Sequence, residues 1–389
     1  MKIVIMSDSW HTISGFGTAS RNLAAYLHKV GHDVRYLGWQ TFGQQVIGSF
    51  HDELLWFKGY PNVGGQKFGE MAWKYWLPRI DPDLFLTVGD FWMLIDLFKQ
   101  NEVPYPWLMW YPIDGAPLTD QIESMLKKIH YRVAISEYGA KMVRAKGYDT
   151  GMIPHGLKTD VFKPLREAPI NEMKRRLGIR PDAFVIGRVD RNQKRKKIPR
   201  TIKAFLPFKK DFPEAQLLLW MDKKDHEGWD LDFTIKRFGL QPGKDVIFPP
   251  PDMLANFMYG VAEDELAAMM NCIDIHCWMT GGEGFGLTGL ETMGCGAVNV
   301  ATDYTTPSWL FDDWKCGLPV KVETFEVGNA GVDRALADPM DAYAKMKYLR
   351  ENPDEMKVLR DNGVRRAQTY FPLDKISQDF DTWIRDNVV

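Results

Sequence analysis

Short, almost wholly apolar runs alternate with stretches of helical periodicity over the first 150 positions. Strands are predicted at 2–6 (KIVIM), 33–38, 84–88 (LFLTV), 107–111 (WLMWY) and 131–135, with helices over 18–30, 67–80, 91–100, 117–129 and 137–147. In the first helix Leu23, Leu27 and Val30 share one face, and Gly31 suits the residue that ends it. Strands without a polar face, separated by helices, require a parallel sheet covered on both sides. Pro154, Pro164 and Pro169 then break the pattern, which marks 154–169 as a linker. Beyond it strands near 184–189, 216–221, 245–248, 273–277 and 297–300 alternate with helices near 198–209, 230–238, 262–270 and 286–294, and the closing residues read as helical with a break at Phe371-Pro372.

This pattern predicts an α/β chain of two doubly wound, Rossmann-like domains, 1–165 and 166–372, facing across a cleft. A length of 389 residues agrees, because a single core stops growing at about 250–300 residues. With 45% hydrophobic residues, 26% charged residues and a net charge of −2, the composition is that of a globular protein. Neither half is polybasic, so non-specific nucleic-acid binding is not indicated. Cys272, Cys277, Cys295 and Cys316 match no zinc spacing and suit small buried side chains in a reducing compartment. MKIVIMSD lacks the features of a signal peptide, and no apolar run approaches the roughly 20 residues of a membrane span. A cytoplasmic protein is expected, with peripheral membrane contact left open.

Candidate chemistry concentrates in GGEGFGLTGLETMGCG. Glu283 and Glu291 flank a glycine turn in which Gly284 and Gly286 would let backbone approach a ligand, and a helix opening near Gly286 would offer free N–H groups to a phosphate. Glu291 then lies roughly 7–8 Å along that helix, at 1.5 Å per residue, a reach suited to the ribose of a nucleotide diphosphate. The segment VIGRVDRNQKRKKIPR places Arg188, Arg191, Lys194, Arg195, Lys196, Lys197 and Arg200 at a strand's carboxyl end, where charge would neutralise a leaving diphosphate. Gly15 and Gly17 form a further phosphate-type turn, but 33–38 ends without the acid that grips an adenosine ribose, which argues against a dehydrogenase. Asp114 in WYPIDGAP is either a sugar or acceptor contact or a turn former, and His155 either a loop partner or a site residue. The pairs Asp81/Asp83, Asp230/Asp232 and Asp379/Asp381 border predicted helix starts and read as caps, so no metal is expected.

EGFGLTGLE resembles the Glu-x7-Glu signature of retaining glycosyltransferases of the GT-B fold, family 4 type. Also in the family's order are the turn at Gly15 to Gly17, GHDV at 31–34, AISEYGAKMV at 134–143, IPHGLKTDVFKP at 153–164 and the basic loop at 191–197. The resemblance implies that Arg191 and Lys196 hold the donor diphosphate, Glu283 the sugar hydroxyls and Glu291 the ribose. Phe285, Gly286 and Leu287 would meet phosphate or sugar through their backbone, Gly15 and Gly17 would admit the donor, and the helix at 373–389 would cross back onto the first domain. It further implies transfer with retention from a UDP- or GDP-sugar, with no metal or other cofactor. The acceptor stays open among a glycan, a lipid, a small molecule and, least favoured by charge, a nucleic acid. Lys158 stands where relatives carry Asp, Asp114 where many carry His, and LLLWMD at 217–222 lacks the usual glycine turn. An epimerase or phosphorylase of the same fold and a non-catalytic nucleotide-sugar binding module are the competing readings.

Overall fold

The computed structural model describes residues 1–50, 53–100, 103–253, 260–311, 315–328 and 331–388. Eight strands come from the first part of the chain: β1 (Lys2–Ser7), β2 (Asp33–Gly38), β3 (Val46–Phe50), β4 (Glu53–Tyr60), β5 (Leu84–Val88), β6 (Trp107–Tyr111), β7 (Tyr131–Ala134) and β8 (Gly151–Met152). They form one sheet in the order β3-β4-β2-β1-β5-β6-β7-β8, parallel except at the β3/β4 hairpin. A second sheet is parallel throughout and takes β9 (Val185–Val189), β10 (Gln216–Trp220), β11 (Val246–Ile247), β12 (Ile275–Trp278), β13 (Val298–Thr302) and β14 (Gly317–Val320) in the order β11-β10-β9-β12-β13-β14. A separate antiparallel pair, β15 (Val322–Val327) and β16 (Asp333–Ala337), follows.

Each large sheet reverses its winding once, between β1 and β5 in the first and between β9 and β12 in the second. Helices leave opposite faces on either side of such a point, so the loops beyond the strand ends diverge and open a crevice there. Alternation along the strands sorts the core. Ile3 and Ile5 of β1, with Val185 and Val189 of β9, join an apolar cluster that runs through both lobes, while Val4 and Met6 face the first lobe's outer helices and Ile186 the second's.

The strands expected from apolar runs are present, and the additional ones lie where that signal fails. In β3–β4, Val46, Ile47, Leu54 and Trp56 are exposed, as are Phe325 and Val327 of β15. The first helix opens at Gly15, three residues earlier than predicted, because Ser14 caps it by accepting from the Gly17 N–H at 2.9 Å. Of the paired acids, Asp230 caps a helix through the Phe233 N–H, whereas Asp81 ends one in a left-handed conformation and Asp381 sits within another, bonded to His32 at 2.7 Å.

The closing helix Leu373–Asn387 packs against the first lobe, Phe380 meeting Trp110 at 4.9 Å and Trp383 meeting Tyr131 at 6.4 Å. Phe380 is fully buried. Phe380→Ala is expected to cost about 3–5 kcal/mol in urea denaturation, since a cavity opens where two parts of the chain meet; a loss under about 1 kcal/mol would contradict this packing.

Candidate functional site

Both switch points of the fold open toward one another, and the loops around them carry the charged groups. The last residue but one of β9 is Arg188, whose side chain is fully buried and donates to the carbonyl of Lys196 at 2.9 Å and to that of Cys277 at 3.3 Å. Its guanidinium also pairs with Asp190 at 2.8 Å. The loop after β9 is thereby folded back over the strand end, and a turn at Lys194–Lys196 brings Lys196 inward.

Lys196 is 7% exposed and lies between two carboxylates, its Nζ 2.8 Å from Asp190 and 2.6 Å from Glu283. Glu283 is 4% exposed; its Oε1 also accepts from Thr280 Oγ1 at 2.6 Å, and its Oε2 lies 3.4 Å from Arg195. Burial works against a charge on Asp190, yet Lys196 and Arg188 outweigh it and hold that carboxyl down at about 2. Trp278 of β12 adds an indole N–H to Asp190 at 3.0 Å. Lys196 and the partly exposed Arg195 are the cations that this cluster presents to an anion in the cleft.

Next to it the helix Leu287–Gly294 begins at Gly286, which has φ +93° and no side-chain cap. The Leu287 and Thr288 N–H groups have no acceptor among the described residues, so they remain available to an anion. The glycines themselves serve packing. A methyl group at Gly286 would strike the Trp278 ring, one at Gly284 would strike Pro112 and one at Gly282 the Asp114 carbonyl, so they admit the protein's own groups where a ligand had been expected. Gly17 is likewise enforced by Thr12 and Ser14 of its own turn, whereas Gly15 faces Leu287 across the cleft. The Phe285 ring is buried against His155 at 5.0 Å and Phe371 at 6.2 Å, leaving its backbone at the turn.

Glu291 lies on that helix away from the Lys196 knot. Its carboxylate has no hydrogen-bond partner among the described residues, and burial, reinforced by Glu263 against the opposing Arg21, pushes it up to about 8. Glu263 itself bridges the lobes, 3.4 Å from Arg21 of the first helix and 2.8 Å from Lys158. Lys158, one of the departures from the family pattern, is thus an ion-pair partner.

Of the residues grouped from the sequence, Lys196 and Glu283 meet directly, while Arg191 turns away. Its Nε is 2.6 Å from Asp225 and its Nη1 3.5 Å from Glu227, both in the loop after β10. Arg195 takes the place beside Glu283. Asp114 stands at the cleft but is held by Arg334 of β16 at 2.8 Å through its carboxylate, and its carbonyl accepts from the same guanidinium at 2.8 Å. His155 is a packing residue, wedged against Trp110 at 4.5 Å and driven by burial down to about 3. Sequence reasoning passed over Asp190, Arg334 and Asp90; Asp90, just past β5, is half-buried, and burial and then Asp114 push it up to about 7 against Arg195 and Arg334. All four cysteines are free and buried, and among the described residues no helix is long and apolar enough to span a membrane.

Residues 255–353 match the family model described as glycosyl transferases group 1. The chain carries a glycosyltransferase group 1 domain. No curated protein matches the sequence significantly. Among solved structures, sucrose-phosphate synthase from Thermosynechococcus elongatus superimposes with a TM-score of 0.76 at 18% identity, covering 99% of this chain and 98% of that one. Anabaena HepE in complex with UDP-glucose gives 0.74 at 14% identity, over 99% of this chain and 100% of that one. The catalytic domain of starch synthase IV from Arabidopsis thaliana, bound to ADP and acarbose, gives 0.68 at 12%, over 100% and 99%. At such identities these likenesses establish the fold, the two-lobed GT-B arrangement across the whole chain.

Glu291 yields a pH prediction. Its folded pKa, about 8, lies above the ordinary 4.5, so the folded state holds the proton more tightly. Its contribution is fully present below about pH 4.5 and is lost as the pH rises through about 8. Glu291→Gln should therefore gain stability over the natural chain at pH 9 relative to pH 5 in urea denaturation; an equal difference at both pH values would contradict the assignment.

Proposed function

We propose that the protein is a retaining, metal-independent hexosyltransferase that moves a sugar from a UDP- or GDP-sugar to an acceptor hydroxyl. Residues 166–372 hold the donor, and 1–165 with the closing helix 373–389 present the acceptor. The observation that carries this reading is the buried Lys196, set between Asp190 and Glu283 at the second lobe's switch point, beside a helix N-terminus with free N–H groups.

Breaking the bond between the anomeric carbon and the phosphate oxygen places negative charge on the departing diphosphate and positive charge on the sugar. Lys196, Arg195 and the Leu287 and Thr288 N–H groups stand where the first can be neutralised, so side chains and backbone supply what a cation supplies elsewhere. Glu283, fixed by Thr280 and Lys196, has its carboxylate oriented before substrate arrives and would hold sugar hydroxyls while its charge favours the electron-poor anomeric carbon. Glu291, without a hydrogen-bond partner among the described residues and one helical turn on from Leu287, which meets Gly15, suits the ribose hydroxyls. Arg191 can contribute to the diphosphate after giving up Asp225, which makes its role secondary to that of Lys196. UDP-glucose bound to HepE and ADP bound to starch synthase IV are in keeping with a nucleotide-diphosphate donor. Four reduced, buried thiols suit the cytoplasm.

Thermal unfolding with UDP-glucose and with GDP-mannose tests the reading. One of them should raise the melting temperature, because a ligand at a hundred times its Kd adds about 2.7 kcal/mol. Glu291→Ala should remove most of that rise, and Lys196→Ala should lower donor turnover by roughly 10²–10³, with Arg191→Ala milder. A rise unaffected by both Glu291→Ala and Lys196→Ala would place the nucleotide elsewhere.

A further inference from the structure

Eight of the fourteen tryptophans fall in the first 110 residues, and burial divides them sharply. Trp10, Trp39, Trp73, Trp107 and Trp110 are core and Trp76 is half-buried, while Trp56, on the β3/β4 hairpin, and Trp92 are 62% and 53% exposed. Trp92 follows β5 by four residues, and so stands at the first lobe's own switch point, where the loops after β1 and β5 part. Its ring is held on two sides. The indole N–H donates to Asp90 Oδ2 at 3.1 Å, and Phe68 meets the ring edge-on at 5.2 Å, itself resting on the buried Trp39 at 5.4 Å. An exposed indole anchored in this way keeps a flat apolar face toward solvent with little freedom left to lose on binding.

Asp90 links this platform to the charged knot. Its carboxyl feels Asp114, Arg195 and Arg334, and Arg195 is the group 3.4 Å from Glu283. The two acceptor-side carboxylates differ in availability. Asp114 is engaged by Arg334 through both its side chain and its carbonyl, whereas Asp90 has only the Trp92 indole on one oxygen, leaving Oδ1 without a hydrogen-bond partner among the described residues.

We infer that Trp92 and Asp90 form the acceptor subsite and that the acceptor is a carbohydrate, one sugar ring lying on the Trp92 face while a hydroxyl donates to Asp90. This rests on the transferase reading and assigns its acceptor class. An aromatic face beside a carboxylate matches a pyranose, which offers an apolar C–H face ringed by hydroxyl donors. Asp90 and Asp114 stand with Arg195 and Arg334, a balanced set that offers a nucleic-acid strand no excess of positive charge on this surface.

The test uses the full chain with UDP-glucose or GDP-mannose as donor and glucose, mannose and maltose as acceptor probes, reading nucleotide release. At least one sugar should stimulate release. Trp92→Ala should raise that sugar's KM about tenfold and Asp90→Ala by roughly tenfold to a hundredfold, while the donor KM moves less than about twofold and Asp90→Asn recovers part of the loss because its amide oxygen still accepts. Acceptor kinetics blind to both positions, or stimulation by a single-stranded oligonucleotide in place of every sugar, would overturn the inference. Fluorine NMR of 5-fluorotryptophan-labelled protein decides independently of turnover, with the Trp92 signal assigned by its loss in Trp92→Phe. Maltose should shift that signal, and a signal unmoved by all three sugars refutes the subsite. A chain that neither binds nor hydrolyses either donor refutes the transferase reading, and the fluorine titration still reports on the sugar site.

Discussion

A lysine ammonium buried between two carboxylates is the constraint on which the rest of the site depends. Lys196 is buried with its ammonium 2.8 Å from Asp190 and 2.6 Å from Glu283, so that opposite charges face one another where water is excluded. Removing any one would strand charge in a low-dielectric interior. The surrounding structure is arranged to keep all three in place: Arg188, fully buried, fastens the loop after β9 from below, and Trp278 holds Asp190 from the side. Gly286 must lack a side chain so that the Trp278 ring can occupy that place. Packing, backbone conformation and electrostatics at the switch point are therefore one problem with one solution, and it sets Lys196 and Arg195 beside an uncapped helix.

The lobes meet around this knot through close backbone contacts. Gly282 and Gly284 bring their loop against Asp114 and Pro112 of the first lobe, and β16 adds an N–H bond from Asp333 to the Ala116 carbonyl at 2.6 Å together with the Arg334–Asp114 pair. On the opposite flank Glu263 bridges Arg21 and Lys158. A cleft braced at both ends is suited to excluding water from a reaction whose principal side product is hydrolysis.

How much of this the sequence disclosed depends on whether a feature was local. Strands such as 84–88 and 107–111 are buried on both faces, so their apolar runs announced them; β3–β4 and β15–β16 have solvent on one side, carry exposed apolar and charged residues, and went unseen. The pairing of Lys196 with Glu283 was reachable because the glycosyltransferase resemblance fixes both positions. Arg191 was grouped with them on the same grounds, but its actual partners, Asp225 and Glu227, sit some thirty-five residues downstream in a loop whose path no local pattern gives. The glycines at 284 and 286 were read as close approaches, and the groups that come close to them are Pro112 and the Trp278 ring of the protein itself. The isolation of Glu291 depends on Glu263 and Arg21, and Asp90 on a tryptophan platform, and neither setting exists until the chain is folded.

The most direct test of the central claim is a crystal structure of the protein with its nucleotide-sugar donor, UDP-glucose or the GDP-sugar that stabilises it. The account predicts the distal phosphate within hydrogen-bonding distance of Lys196 or Arg195 and of the Leu287 N–H, the hexose on Glu283 and the ribose on Glu291. A nucleotide bound away from the loops after β9 and β12, with the Lys196–Glu283 pair untouched by any part of it, would contradict the account.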